Sequence, residues 1–212
     1  MGKYKKFLST LKNEVVIEGY LHPVSPTSDS FSLPESGTDA TCREARFSRP
    51  AGSHLMVYKF DKTGVKDAEG KIIKEPIACF KEGKAHSKCD YVLFYPTHIK
   101  GEEKLFVILC NLKSGNAGNN VDQLRSGEIF STFLVETTKR LYNYDQTTRE
   151  EDKIHAKDTH TIKILFHNRP PNKGVTKPGN NTRLNRENNF YQYSCQNERC
   201  DLEVLCKSHP GR

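Results

Sequence analysis

Residues 105–115 read LFVILCNLKSG. Six apolar residues, Leu105 to Cys110, run without a break into Asn111 and Lys113. An unbroken apolar run of this length predicts a strand covered on both faces. Such a strand has no need of an amide and an ammonium at its end. Side chains alternate along a strand, so Asn111 and Lys113 leave from the same face. A second apolar run, CDYVLFY (89–95), precedes it across the turn-rich link PTHIKGEE and carries Asp90 at its start. If the two runs are neighbouring strands, Asp90, Asn111 and Lys113 meet at one corner of a sheet.

Outward from this pair the period of the sequence changes. In NNVDQLRSGEIFSTFLVETTKRLYN, Val121, Leu124, Phe130, Phe133, Leu134 and Leu141 fall near helical spacing, with Asn119 or Asn120 available as a cap. HTIKILFH (160–167) returns to strand character. Upstream, HLMVYKF (54–60) and KIIKEPIACF (71–80) flank Gly64 and Gly70 and predict a long hairpin. KYKKFLSTLKN (3–13) predicts a short helix with Tyr4, Phe7, Leu8 and Leu11 on one side, and TDATCREAR (38–46) a second one containing Glu44. Residues 25–38 are expected to be a flexible Ser/Pro-rich loop. Residues 168–189 are expected to be a flexible basic loop, with Arg169, Lys173, Lys177, Arg183 and Arg186 against the single acid Glu187. FYQYS (190–194) and LEVLC (202–206) would add a final edge element. No repeat or internal boundary divides residues 1–212, so one domain is expected. The order of elements predicts an α/β (α+β) fold, a mixed central sheet flanked by helices.

The corner has a chemistry. Oxygen ligands from Asp90 and Asn111, with the backbone carbonyl of Leu112, suit a hard dication such as Mg²⁺ or Mn²⁺. Such an ion polarises a phosphate and acidifies its bound water, while the ammonium of Lys113 steadies the developing charge. KCDYVLF, then FVILCNLKSGN, then a helix containing VDQLRSG resembles the core of the PD-(D/E)xK nuclease superfamily, the restriction-endonuclease-like proteins. The resemblance covers roughly residues 38–165 and rests on a short, degenerate motif. It implies that Asp90 is the metal-binding acid, Lys113 the catalytic lysine, Gln123 the glutamine of the following helix and Glu44 the acid of an earlier helix. It also implies a magnesium-dependent endonuclease acting on DNA, in restriction or antiviral defence, as a homodimer or a subunit of a larger complex. The sequence departs from the pattern at Asn111, where an acid is expected. An amide removes one elementary charge from a site for a dication, and at ligand distance that weakens the attraction heavily. Three readings stay open: a working site with a weakened ligand set, an inactive relative that only binds nucleic acid or a partner protein, or an acid replaced so as to trap a complex.

Composition agrees with a polyanion partner. The net charge is +7, the pI about 9.0 and the mean hydropathy −0.71 over 212 residues. A basic excess draws polyanions, nucleic acid being the commonest, although a solvated basic surface has the same composition. Lys173, Lys177, Arg183 and Arg186 are the candidates for gripping a phosphate backbone. No apolar run is long enough to span a bilayer, and the first residues lack the apolar core of a secretory signal. With seven cysteines, three in or beside apolar runs, reduced thiols in the cytoplasm are expected rather than a disulfide scaffold. Cys195, Cys200, Cys206 and His209 could be read as a zinc site, but their spacing misses the tight C-x₂-C pairs of such sites. There is no HExxH pair, and GNAGNN (115–120) lacks the GK[ST] of a phosphate-binding loop.

Overall fold

Apolar residues recur along this chain at every second position or without interruption, and the long runs pair as strands for that reason. The computed structural model describes residues 2–35, 41–66, 69–73, 88–113, 120–168, 183–185, 190–196 and 198–209. In chain order its elements are α1 (Lys3–Thr10), β1 (Leu21–His22), β2 (Ser30–Pro34), β3 (Glu44–Ser48), β4 (Met56–Lys59), β5 (Tyr91–Ile99) and β6 (Glu102–Lys113). There follow α2 (Asn120–Tyr144), β7 (Thr159–His167), β8 (Arg183–Asn185), β9 (Phe190–Ser194), β10 (Arg199–Asp201) and α3 (Leu202–Ser208). Seven strands form a mixed sheet in the order β1-β4-β5-β6-β7-β9-β8, and three form a small second sheet, β10-β3-β2.

β5 and β6 are the axis of the large sheet. They pair antiparallel through nine residue pairs, from Tyr91↔Cys110 to Ile99↔Glu102. Lys100 and Gly101 join them with φ of 53° and 85°. Two consecutive positive φ values give a tight turn whose twist matches that of the strands, and Gly101 adopts its value without a Cβ penalty. β6 then pairs parallel with β7, so the chain between them must cross over, and α2 makes that crossover.

Alternation divides the core into two layers. Val92, Phe94, Val107 and Leu109 face α1 and α2 and pack with Tyr4, Phe7, Leu11, Leu124 and Leu134. Tyr91, Leu93, Ile108, Cys110 and Leu112 face the small sheet and α3 and pack with Leu33, Phe47, Leu202 and Leu205. Each fully buried Leu or Phe contributes about 1.5–3 kcal/mol, so these two layers supply most of the drive to fold. Gly127 brings α2 down onto the start of β5. A Cβ there would lie 2.4 Å from the Cys89 sulfur. The glycine costs about 1 kcal/mol of helix propensity and permits that approach.

Several expectations are corrected. Residues 44–48 form a strand and not a helix: Ala45 and Phe47 are buried while their neighbours are not, a period of two. Glu44 therefore stands on the small sheet, not on a helix. The 25–38 loop contains β2, held by pairing with β3 and by the buried Leu33. The basic 168–189 segment contains β8, paired antiparallel with β9. LEVLC belongs to α3, because Asp201 caps it by accepting the Val204 N–H at 2.9 Å. β4 pairs with β1 and β5; of the expected 71–80 strand, Ile72 bridges Lys66 and residues 74–80 lie outside the described residues. Cys42 and Cys195 form a disulfide, whereas Cys89, Cys110, Cys200 and Cys206 are buried free thiols. Cys195 is thus not available as a zinc ligand, and the His209 ring nitrogen Nδ1 lies 3.3 Å from the Tyr191 hydroxyl. Among the described residues no helix is long and apolar enough to cross a membrane.

Candidate site at the end of strands β5 and β6

The β5–β6 pairing ends at Tyr91↔Cys110, so Asp90 lies just before β5, close to Asn111, the residue that follows Cys110 on β6. The side-chain amide of Asn111 bridges two neighbours. Its Oδ1 accepts the Asp90 backbone N–H at 3.2 Å, and its Nδ2 donates to Gln123 Oε1 at 3.1 Å. Asn111 is 0% exposed. Three elements meet in this one side chain: the start of β5, the end of β6 and the first turn of α2.

Asp90 is held at several points. Its N–H also lies 3.1 Å from the Cys110 carbonyl, and its carbonyl accepts the Phe60 N–H at 3.0 Å. Its carboxylate is nearly out of water, at 8% exposure, and accepts the Leu112 N–H at 2.5 Å. In a strand a residue's N–H and C=O leave by the same edge. The Leu112 carbonyl therefore faces the Asp90 side as well. Lys113, half-buried, is two residues beyond Asn111 and so on the same face of β6. The structure thus brings Asp90, Asn111, Leu112 and Gln123 together, with Lys113 at the rim.

Glu44 is elsewhere. Its carboxylate accepts from Arg46 Nε at 2.6 Å, a bond that holds its pKa below the ordinary value. Two acids that the sequence reading missed are the ones that act on Asp90. Burial pushes the Asp90 carboxyl up to about 7, and the negative charges of Glu35 and Asp61 add to the rise, while the Leu112 N–H and Lys113 oppose it. Asp61 is itself raised, by burial first, and its Oδ1 is buried without a hydrogen-bond partner among the described residues. The pairing Lys59↔Tyr91 was the missing signal for Asp61, since it leads the chain past Phe60 to the start of β5. Glu35 follows β2, which the composition of 25–38 concealed.

As a ligand set for Mg²⁺ or Mn²⁺ these residues fall short. Asp90, the carboxylate bonded into the corner, favours its proton up to about pH 7. The neutral amide that stands for the second acid has its oxygen and nitrogen in bonds to protein groups. Among the described residues no three His, Cys, Asp or Glu side chains form a group able to hold a metal ion. The corner can instead store a proton near neutrality and lock three elements together. Of the basic candidates, Arg183 opens the edge strand β8, and Lys173, Lys177 and Arg186 lie outside the described residues. No protein-family model, no curated protein and no solved structure matches this chain.

Proposed function

We propose that this protein is a restriction-endonuclease-like module that binds nucleic acid, DNA in the first instance, without cutting it, as a subunit of a larger defence assembly. The observation that carries the reading is the fully buried Asn111 amide, bonded to Asp90 on one side and Gln123 on the other. It converts a corner suited to a dication into a neutral clamp. The antiparallel β5–β6 pair, followed by the crossover helix α2 and the parallel strand β7, supports the fold assignment. A net charge of +7, Lys113 at the rim and the nearby N-terminus of the 25-residue helix α2 support attraction of a phosphate backbone.

Duplex DNA titrated against the full chain, read by fluorescence anisotropy, tests this. Binding is expected without Mg²⁺, weakening steeply as salt rises because bound phosphates release counterions. Lys113→Ala weakens it several-fold, and plasmid incubated with Mg²⁺ or Mn²⁺ stays intact. A second reading, metal-dependent hydrolysis, is favoured by Asp61, whose charge acts on Asp90 and whose buried Oδ1 has no hydrogen-bond partner among the described residues, since a second carboxylate could make good the charge lost at Asn111. Plasmid cleavage by the parent chain, abolished by Lys113→Ala, would establish that reading and dismiss the first.

A further inference from the structure

The side of α2 turned from the sheet carries a pattern that solvent does not require. Leu124, Gly127, Ser131, Leu134, Val135, Thr138 and Tyr142 are buried on the inner side. With about 100° between successive helical residues, Arg125, Ile129, Phe133, Glu136 and Arg140 line up on the opposite side, and all five are exposed. Ile129 is 71% exposed and Phe133 64%. Single exposed apolar residues are ordinary, but here two form one patch a turn apart, with a cation before it and an anion after it.

We infer that this face of α2 docks on the same face of a second copy of the chain, the two helices running antiparallel. About a two-fold axis level with Ser131, each residue meets the one equally far on the other side of that point. Ile129 then meets Phe133 of the second copy, and Arg125 stands within one residue of its Glu136. Arg140 stands opposite Asp122 in the same register. A parallel arrangement would set Arg125 against Arg125 and Glu136 against Glu136, so the charge order selects the antiparallel one. Glu136 already accepts from Lys139 at 2.8 Å, and a carboxylate has lone pairs for both partners. The rise of the helix puts the two Gln123 positions, and the Asp90 corners bound to them, about 24 Å apart along the helix axes. The dimer does not depend on the binding reading.

Sedimentation equilibrium of the full chain over a concentration series, without nucleic acid, tests it. The parent is expected to dimerise. Phe133→Glu and Ile129→Lys each weaken the dimer about thirtyfold or more, the loss expected of a central apolar anchor. Both residues are exposed, so circular dichroism and the thermal midpoint of either variant should match the parent. An equimolar mixture of the two variants recovers the dimer, because one contact becomes Lys to Glu and the other stays Phe to Ile. A parent that is monomeric throughout, a dimer indifferent to Phe133→Glu, or a mixture that fails to recover would overturn the inference.

Discussion

Asp90 and Asp158 are both carboxylates withdrawn from water, at 8% and 6% exposure, and the protein treats them in opposite ways. Asp158, just before β7, receives two cations: Lys3 from α1 at 3.3 Å and Lys104 from β6 at 3.1 Å. Burial pushes its carboxyl up, but Lys104 and Lys3 outweigh that and hold it below its ordinary value. The hydroxyl of Tyr4 also donates to its carbonyl, so the corner fastens α1 to the sheet. Asp90 receives one backbone N–H and, among the described residues, no ion-pair partner, while two acids act on it from nearby. Its pKa moves the other way. A buried carboxylate that is paired keeps its charge, whereas one left uncompensated favours its neutral form.

The comparison breaks hardest at Asp158. Asp158→Ala removes the partner of Lys3 and one of the two partners of Lys104, which keeps Glu102 at 2.6 Å, and should cost about 2–4 kcal/mol in urea unfolding. In the parent, the depressed pKa means that this contribution is present above the ordinary carboxylate value and lost as pH falls below it. Asp90 carries the opposite sign. Its folded pKa of about 7 exceeds the ordinary 3.8, so the native state holds a proton that the unfolded chain releases, and stability falls as pH rises between those values. Asp90→Asn should therefore leave stability at pH 4 unchanged and raise it at pH 8 by something on the order of 2–4 kcal/mol, flattening the pH profile of the thermal midpoint. The smallest effect is expected at Gln123. Gln123→Ala leaves the buried Asn111 N–H without its acceptor and should cost about 1–2 kcal/mol. Gln123→Glu, which restores an acceptor, should recover most of it. Equal losses for the two variants would show that Gln123 matters for packing and not for its bond to Asn111.

The long runs were readable in advance because both the strands and the helix they predict are decided locally. CDYVLFY, KLFVILC and HTIKILFH became β5, β6 and β7, and the 3.6-residue pattern after them became α2. Short segments misled. CREAR has no helix breaker, but Ala45 and Phe47 gain more by inserting into the core as alternate residues of a strand than helix propensity offers. The same sheet captured Ser30–Pro34 from a segment whose composition reads as loop. Cys42 and Cys195 lie 153 residues apart, and only the closed fold sets them side by side.

By itself the sequence determined the layering of the central sheet, the positions of Asp90, Asn111 and Lys113 at strand ends, and the charge that favours a polyanion. These follow from period and composition, which any folded arrangement must respect. The tertiary structure alone decided that Asn111 is buried and bonded on both sides, that Glu35 and Asp61 act on Asp90 while Glu44 does not, and which side of α2 faces outward. Those properties depend on distance and desolvation between segments far apart in the chain, and neither quantity is written in the order of residues.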